Sequence, residues 1–532
     1  MKLRQNKQNS DKRQENKHLA SYLLPLAALL SGICMGLTVA PFGAWFLAWV
    51  ALAPLWAIVI KSSQLYGRNA LRPYALLWGI GYHGIALWWI TGIHPMTWMG
   101  VPWLASLAIA IFCLIFITLW GAALVVVWAV VTAWLIRNCN VFTRILIGTA
   151  VWCGLESLWS KGALWWTTIA FTQSPHNIAI LHLGQLSGTT TITAAIVAVN
   201  ALLAEAWLNR QHKNTYLSLA VALLASLHLI GWQLSNQPLD RSPQTALKVG
   251  IIQGNVPNEI KLYSDGLRRA IAGYTSGYQT LADRGVDAVL TPEGALPLLW
   301  DNVEQTAFYT AVKEKGVTAW VGAFGRQGRS ITNSLFTLTG NGEIFSRYNK
   351  YKLVPLGEYI PFEQFLGGLV DRLSPLDAHQ VAGASNQIFD TPFGRAIAAI
   401  CYESAFAEHF RRQTAAGGQF ILSAANNAHY SPAMPAQHHA QDVMRAIESD
   451  RTVVRATNTG YSGIIDPHGR AEWISKLNTY QLHAATIYRR ETKTLYVRWG
   501  DWLMPVLLGL GLVVKVFSRL QNNSFNSSDR FN

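Results

Sequence analysis

Long apolar runs separated by short polar connectors fill the chain from about residue 20 to residue 234, and one more such run lies near the C-terminus. A helix that spans a bilayer needs about 20 mostly apolar residues. On that criterion the pattern predicts eight spans: 20–40, 43–60, 74–93, 103–135, 144–160, 179–207, 217–234 and 502–518. The run 103–135 is long for one helix, but neither proline nor charge interrupts it, so we expect one long or tilted helix there rather than two.

The connectors between these runs alternate between basic and neutral. Basic residues occur in the N-terminal tail and after the second, fourth, sixth and last runs: Lys2, Arg4, Lys7, Lys12, Arg13, Lys17, Lys61, Arg68, Arg72, Arg137, Arg144, Arg210, Lys213 and Arg519. The connector 94–101 has no Lys or Arg. Because short basic loops stay in the cytoplasm, we expect both termini there and residues 240–498 on the opposite, outer face of the membrane.

This pattern divides the chain into five parts. We expect disordered polar tails at 1–19 and 522–532, a membrane region at 20–234 with about seven spans, an external block at 240–498 and a closing span at 502–518. No small-x-small cleavage site follows the first apolar run, so the pattern favours an uncleaved anchor over a removed signal peptide.

Composition agrees with a membrane protein, and the chain lacks the features expected of a nucleic-acid-binding protein or of a transporter. Charged residues make up only 14% of the chain, against about a quarter in soluble proteins. The formal charge of +14 is compatible with nucleic-acid binding, but Lys and Arg flank the apolar runs and the external block has no basic run interleaved with aromatics. A transporter is disfavoured because no repeat relates the halves of the membrane region. Glu156, inside the fifth run, is either functional or satisfied by a neighbouring helix.

In the external block the pattern changes to short apolar runs alternating with amphipathic stretches. It predicts strands at 248–253, 287–290, 317–323, 333–339, 395–401, 419–425 and 453–457, and a hairpin at 461–474. Helices are predicted at 267–284 and 436–450. Strands alternating with helices indicate an α/β domain with a partly parallel sheet. Functional side chains are then expected just beyond the carboxyl ends of strands.

Three reactive residue types occupy such positions. Glu293 follows the strand 287–290, Lys350 follows the hairpin that turns at 340–342, and Cys401 ends the strand 395–401. Cys401 is also the only one of five cysteines in the external block, which leaves it no disulfide partner there. A thiol needs a base to become nucleophilic, and a nearby cation stabilises the tetrahedral intermediate. Each residue alone also suits a structural role, so only their combination indicates a nucleophilic site.

Three segments resemble the signature segments of the nitrilase superfamily. They are Thr-Pro-Glu-Gly-Ala-Leu-Pro (291–297), Tyr-Asn-Lys-Tyr-Lys-Leu-Val-Pro-Leu-Gly-Glu-Tyr-Ile-Pro (348–361) and Ile-Cys-Tyr-Glu (400–403). The middle segment is similar to that of the apolipoprotein N-acyltransferase family, and the resemblance extends over nearly the whole chain. It implies an αββα sandwich as the external domain of a polytopic α-helical membrane protein in the bacterial cytoplasmic (inner) membrane, with the domain on the periplasmic face.

The resemblance also implies roles for individual residues. It makes Glu293 the general base, Lys350 the cation beside the oxyanion and Cys401 the nucleophile. The residues that match supporting positions are Glu358, Glu403 and Tyr402, together with Asn333-Ser334. For substrate contacts the candidates are Leu298, Leu299, Trp300, His429 and Gln437; the first three are equally compatible with a core role.

The implied reaction is a two-step acyl transfer without cofactor or metal. Cys401 attacks a phospholipid ester to form a thioester, and the free amine of a diacylglyceryl-modified N-terminal cysteine on a lipoprotein then accepts the acyl group. The expected partners are therefore the phospholipid donor, the lipoprotein acceptor and membrane lipids, with no nucleic acid. His429, His438 and His439 lack the spacing of metal ligands.

Two departures from the family pattern leave other hypotheses open. The loop 426–431 reads Asn-Asn-Ala-His-Tyr-Ser where the family commonly has Asn-Asp-x-Trp-Phe-Gly, and Gly294 replaces a more usual hydroxyl residue. One alternative is a membrane-anchored carbon-nitrogen hydrolase that uses water in the second step, although tethering alone needs only one helix. The other is an inactive nitrilase-like scaffold, against which the intact catalytic three argue.

Overall fold

The computed structural model describes residues 23–65, 70–355, 357–359 and 380–528, with side chains as far as 518. The predicted tail 1–19 and the connector residue Arg68 lie outside these ranges. The last helix continues to Ser528, which corrects the disordered tail predicted from 522. Once a helix has formed, each added residue gains a hydrogen bond at low cost, so a polar end can extend it.

The membrane region is a bundle of apolar helices. In chain order these are α1 (Leu23–Gly36), α2 (Ala53–Leu65), α3 (Arg72–Ala86), α4 (Trp103–Leu135), α5 (Val141–Trp159), α6 (Ile178–Ser187), α7 (Thr189–Leu208) and α8 (Lys213–Ser235). Five segments are long and apolar enough to cross a membrane: Trp45–Gln64, Trp103–Leu135, Val141–Trp159, Thr189–Leu208 and Arg210–Ser235. The chain is therefore a membrane protein.

The predicted long helix is confirmed, because α4 runs unbroken over 33 residues. Two other predicted spans are each broken. The run 74–93 becomes α3 followed by a 3-10 turn at Trp88–Ile93, and the run 179–207 divides at Gly188 into α6 and α7. Gly188 has φ +66°, and a Cβ there would lie 2.7 Å from the Tyr496 ring. Only glycine fits such a left-handed, closely packed position.

Glu156 is satisfied by its neighbours. One carboxylate oxygen accepts the Ile169 N–H at 2.7 Å, and the other accepts the Thr193 hydroxyl of α7 at 2.7 Å. Near the other end of the same helices, Arg144 of α5 and Glu205 of α7 form a two-bond ion pair with both N···O distances 2.8 Å. Buried charges in a bundle need such partners, so both acidic residues fix α5 against α7.

The external block contains two six-stranded sheets. The first has the order β12-β1-β2-β3-β4-β5 and the second β11-β10-β9-β8-β7-β6. The strands are β1 (Ala246–Gln253), β2 (Ala288–Leu290), β3 (Thr318–Gln327), β4 (Ser330–Leu338), β5 (Ile344–Asn349), β6 (Phe389–Thr391), β7 (Gly394–Ile400), β8 (Phe420–Ala425), β9 (Val453–Thr457), β10 (Gly463–Ile465), β11 (Ala471–Ile474) and β12 (Gln481–Tyr488). The centre of each sheet is parallel, β1-β2-β3 in one and β7-β8-β9 in the other.

Helices cover both sheets and complete an αββα sandwich. They are α9 (Asn258–Lys261), α10 (Ser264–Asp283), α11 (Trp300–Val303), α12 (Ala307–Lys315), α13 (Ala407–Ala415), α14 (Ala433–Ser449) and α15 (Leu495–Trp499). The last helix, α16 (Leu503–Ser528), packs against α5 of the membrane bundle instead. Val249 and Ile251 of one sheet share a core with Ala398 and Leu422 of the other, whereas α10 and α12 pack on the outer face of the first sheet. On the opposite side α14 joins the core of the membrane bundle. The sandwich therefore rests directly on the membrane helices.

All the strands predicted in this block are present, but β6 and β12 were missed. β12 pairs antiparallel with β1 along its whole length, from Ala246–Tyr488 to Gln253–Gln481. Most of its residues are only half-buried. An edge strand of this kind has no continuous apolar run, so its sequence does not distinguish it from a loop.

Candidate active site

Glu293, Lys350 and Glu358 form a buried charge cluster at the carboxyl ends of the first sheet. The Lys350 ammonium donates to Glu293 Oε1 and to Glu358 Oε1, each at 2.8 Å. The amide of Asn333 donates to the same two oxygens at 2.8 and 3.1 Å. The second Glu293 oxygen accepts the backbone N–H of Asn426 at 3.0 Å. One ammonium is therefore shared by two carboxylates that are held in place by neutral donors.

The two carboxyls differ in proton affinity. Burial is the largest single effect on Glu293 and would raise its pKa, but the charge and hydrogen bond of Lys350, the charge of Lys261 and the hydrogen bond from Asn333 together lower it. Burial raises the pKa of Glu358, and the adjacent Glu293 charge adds to this despite Lys350. The pKa of Lys350 is raised by its two carboxylates against the effect of burial. Because the two pKa values shift in opposite directions, Glu293 is the carboxyl of this pair that is ionised and able to accept a proton.

Cys401 lies at the turn that follows β7, where the chain passes into the short 3-10 helix Cys401–Ala405. Its φ is +52°, an uncommon value for a residue with a side chain and one that often marks functional sites. Sγ lies 3.8 Å from the carbonyl oxygen of Asn426. Burial, followed by the Glu293 charge, raises the pKa of the thiol to about 12. The resting group is thus a thiol that needs a base to accept its proton.

Glu403 connects this turn to the segment that carries Lys350. One of its oxygens accepts hydrogen bonds from the Tyr348 hydroxyl and from the N–H groups of Tyr351 and Lys352, at 2.8, 2.6 and 3.1 Å. The other accepts the Ile400 N–H at 2.7 Å. Glu403 is completely buried. Its carboxylate positions the thiol and the ammonium but does not line the cavity beside Cys401.

Lys261 and Asn258 are residues of the site that the sequence interpretation missed. The Lys261 ammonium donates to the Glu293 carbonyl oxygen at 3.2 Å, and burial lowers its pKa to about 8. The Asn258 amide contacts His429 and accepts a bond from the Asn426 amide at 3.1 Å. Both follow the carboxyl end of β1, as Glu293 follows β2. The rule that found Glu293 also applies to them, but a lysine in a loop reads from sequence as a solvated charge.

Glu293, Lys350 and Cys401 line one cavity of about 170 Å³, together with Lys261, Glu358 and Asn426. The membrane region contributes a wall through Trp98, in the loop between α3 and α4. The Trp98 ring stacks on His429, with centroids 5.8 Å apart. Burial lowers the pKa of His429 to about 4, so its ring is neutral. A cavity built by both regions places the thiol next to the membrane helices.

The loop 426–431, which departs from the family pattern, is one of the places where the two regions meet. Besides the His429 stack, Tyr430 packs edge-on against Trp89 with ring centroids 5.2 Å apart. The backbone of Ser431 approaches Gly92 so closely that a Cβ on Gly92 would lie 2.2 Å from the Ser431 nitrogen. The altered residues therefore contact the membrane region as well as the cavity.

Several residues predicted to bind substrate lie elsewhere. Trp300 is buried and stacks on Phe336 with centroids 4.2 Å apart, and Leu298 packs against the same core. Neither residue, nor Leu299, is among those lining the cavity of Cys401. Of the two roles considered for Leu298-Leu299-Trp300, the geometry favours the core, because an indole with this much apolar surface is more stable when buried.

Gln437 and Tyr402 join the external domain to the membrane region. The Gln437 side-chain oxygen accepts the indole N–H groups of Trp89 and Trp166 at 3.1 and 2.8 Å, and its amide donates to the Ala86 carbonyl at 2.8 Å. The Tyr402 ring stacks parallel to that of Trp166, with centroids 6.2 Å apart. The predicted substrate contact of Gln437 is thus replaced by contacts that dock α14 on the membrane helices.

Comparisons with known proteins cover both regions. Residues 31–202 match the family described as "Apolipoprotein N-acyltransferase N-terminal domain", and residues 248–489 match the family described as "Carbon-nitrogen hydrolase". A Nostoc protein named apolipoprotein N-acyltransferase is 62% identical over 499 residues, covering 93% of this chain and 100% of the relative. A Synechocystis protein of the same name is 47% identical, covering 91% of this chain and 98% of the relative.

A solved structure to which part of this chain is similar is an amidase from Nesterenkonia sp. AN1. It is 14% identical, the match covers 49% of this chain and 95% of the amidase, and the TM-score is 0.37.

Proposed function

The chain belongs to the apolipoprotein N-acyltransferase family, and we propose that it transfers a fatty acyl chain from a phospholipid to the N-terminal amine of a diacylglyceryl-cysteine on lipoproteins. The observation that carries this proposal is the similarity to acyltransferases over both regions of the chain, membrane helices included. A hydrolase needs no match in the membrane region. The charge cluster around Lys350 and the buried thiol argue against an inactive scaffold.

In the first proposed step, Cys401 Sγ attacks the ester carbonyl of the phospholipid while Glu293 accepts the thiol proton. Lys350 and Lys261 provide the positive charge near the developing oxyanion, which a water-poor site makes effective. The tetrahedral intermediate then collapses: the bond to the glycerol oxygen breaks, Glu293 returns the proton to that oxygen, and a lysophospholipid leaves. The acyl group remains on Cys401 as a thioester.

In the second proposed step, the free amine of the acceptor attacks the thioester carbonyl. Glu293 accepts a proton from the amine, the carbon–sulfur bond breaks, and Glu293 passes the proton to the Cys401 sulfur, which restores the thiol. Glu358 and Glu403 support Lys350 and Cys401 through the contacts described above. The Trp98 wall supports this assignment, since a membrane-derived surface beside the thiol suits two lipid-anchored substrates.

We also propose that the external domain, residues 240–498, lies on the periplasmic face of the cytoplasmic membrane with both termini in the cytoplasm. The alternation of basic loops supports this orientation. A C-terminal alkaline phosphatase fusion should be inactive, and a fluorescent-protein fusion there should fluoresce. The opposite result would refute the orientation.

The acyl transfer is tested by intact mass of the purified full-length protein after incubation with phospholipid. We expect one added acyl mass, which hydroxylamine or a diacylated lipopeptide with a free amine removes. Cys401→Ala should lack the adduct, whereas the matched control Cys113→Ala, at a half-buried position of α4, should retain it. A folded protein that acquires no acyl mass from any of several phospholipids, or that keeps it after Cys401→Ala, contradicts the proposal.

A further inference from the structure

A second and larger cavity, of about 570 Å³, lies between the membrane bundle and the external domain. It shares no lining residue with the cavity that contains Cys401. We call it the Arg445 cavity. Its walls come from the end of α5, the starts of α7 and α16, the segment Tyr351–Lys352 and the helices α13 and α14. The catalytic residues described above do not reach it.

The position of the Arg445 cavity corresponds to the membrane surface. The apolar helix α5 ends at Trp159, α7 begins at Thr189 and α16 begins at Leu503, and residues at or beside these three ends line the cavity. Beyond the apolar part of a spanning helix lies the polar headgroup layer of the bilayer. The cavity therefore opens at the depth where lipid phosphate groups lie.

Arg445 is the residue in this cavity whose hydrogen bonding is incomplete. It is fully buried, and its guanidinium lies between the rings of Phe171 and Phe410, 5.8 and 5.9 Å from their centroids. Nη2 is 2.9 Å from Glu448 Oε2, but none of its three side-chain nitrogens makes a hydrogen bond with a described residue. A buried donor without an acceptor is costly, so packing against the Phe171 and Phe410 rings does not by itself account for the burial of Arg445.

Glu448 neutralises this cation only in part. Burial raises the pKa of Glu448 to about 7 against the opposing charge of Arg445, with a further contribution from Asp501. Its one close contact with the guanidinium is with Nη2, and Nε and Nη1 have no acceptor among the described residues, so they remain available to an anion.

The other acids of the Arg445 cavity already have partners. Glu156 accepts from Ile169 and Thr193, Asp501 accepts the hydroxyls of Ser187 and Thr190 at 3.1 and 2.6 Å, and Glu408 is paired with Arg411 and Arg412. By contrast, the exposed Lys161 at the mouth has no ion pair within the described parts of the chain. The Lys352 ammonium lies over the Tyr351 and Phe406 rings, 5.0 and 4.8 Å from their centroids. The acids of the cavity accept hydrogen bonds, whereas Nε and Nη1 of Arg445 have no acceptor among the described residues.

We propose that the Arg445 cavity binds the phosphate group of a membrane phospholipid, with Arg445 as the buried ligand and Lys161 and Lys352 nearer the mouth. A planar guanidinium with several free N–H groups is well suited to a phosphate. The bound lipid fills the junction between the membrane helices and the external domain, away from the acyl-transfer site. The site does not depend on the acyltransferase reaction, because none of the residues assigned to the reaction lines it.

The test counts bound lipids by native mass spectrometry of the delipidated full-length protein. A Cys401→Ala background prevents acyl transfer, and the ligand is a short-chain phospholipid such as dihexanoyl phosphatidylglycerol. We expect two bound lipids, and one after Arg445→Gln. Loss of a single exposed charge changes binding about two- to fivefold, so Lys161→Ala should weaken the second binding event by about that factor. The matched control Lys213→Ala, an exposed lysine at the start of α8, should not.

Two further ligands identify the source of the phosphate. Dihexanoylglycerol, which lacks phosphate, should not occupy the second site, and inorganic phosphate at the same concentration should not displace the lipid. If Arg445→Gln does not fold, the Lys161→Ala/Lys352→Ala double variant replaces it and should weaken the second binding event more than either single change. Equal occupancy by the phosphate-free lipid, full displacement by inorganic phosphate, or unchanged binding in the lysine variants overturns the proposal.

Discussion

Replacement of Glu403 tests whether one buried carboxylate holds the nucleophile and the catalytic lysine together. The Glu403 carboxylate accepts four hydrogen bonds, three from backbone N–H groups and one from the Tyr348 hydroxyl. Tyr348 has His409 as a second partner at 3.0 Å, so Glu403→Ala leaves three buried N–H groups without an acceptor. At about 1–3 kcal/mol for each buried unsatisfied group, the sum is about 3–9 kcal/mol. Water that enters the space left by the side chain satisfies some of these groups. We therefore expect Glu403→Ala to lower the free energy of unfolding by about 3–5 kcal/mol.

Glu403→Gln should cost less. A glutamine oxygen at the position of Oε1 still accepts the three bonds made there, whereas its amide group opposes the Ile400 N–H, so one donor is lost. We therefore expect Glu403→Gln to lower the free energy of unfolding by about 1–3 kcal/mol. Because Ile400 precedes Cys401, this variant should also slow formation of the acyl-enzyme although most of the protein remains folded.

The assay is thermal unfolding of the detergent-solubilised protein together with the rate at which the acyl mass appears. A loss of 1 kcal/mol lowers the Tm of a domain of this size by about 2–4 °C, so the two variants should be separable. Glu408→Ala is the matched control. Glu408 is only five residues away, but its side chain is 48% exposed and its ion pairs with Arg411 and Arg412 are on the surface. Equal Tm values for Glu403→Ala and the control would refute the reasoning.

Other predictions follow from individual contacts. Glu293→Gln should slow acyl-enzyme formation by about 10²–10⁴-fold with the fold retained, and a rate within a factor of ten of the unsubstituted protein would exclude Glu293 as the base. Because the pKa of Glu293 is lowered from 4.5, the unsubstituted protein should keep its acylation rate down to about pH 5 and lose it only as Glu293 is protonated at lower pH. Because the pKa of Cys401 is raised to about 12, iodoacetamide labelling of this residue, followed by peptide mapping, should rise about tenfold per pH unit between pH 7 and 10, and a plateau below pH 9 would contradict the burial argument. Glu205→Gln should destabilise the bundle by about 1.5–3 kcal/mol through its loss of the Arg144 pair, and an unchanged Tm would show that the pair contributes nothing to stability.

The sequence was most informative where the structure depends on local periodicity. The unbroken α4 and the strands that precede Glu293 and Cys401 follow from apolar spacing alone. The break at Gly188 was not predicted. It depends on the approach of Tyr496, more than 300 residues away, and nothing near Gly188 in the sequence records that contact.

In the candidate site, the rule that functional side chains follow the carboxyl ends of strands selected Glu293, Lys350 and Cys401. The structure brings all three to one cavity. The same rule did not select Lys261, because a lysine in a loop is expected to be solvated. That Lys261 is buried becomes visible only once the elements around it are placed. Gln437 shows the converse. Its sequence pattern suggested substrate, but the tertiary structure gives it tryptophan partners about 350 and 270 residues earlier in the chain.

The sequence by itself determined the family, the division into a membrane region and an α/β domain, and the three reactive residue types. These depend on composition, on short-range periodicity and on contiguous motifs. Only the tertiary structure decided that Glu403 ties Ile400 to Tyr351, that Trp98 of the membrane region closes the cavity of Cys401, and that Arg445 lies buried with unsatisfied donors at the junction. The physical reason is that burial and hydrogen-bond partners depend on which distant segments meet, and the positions within any one segment do not specify that.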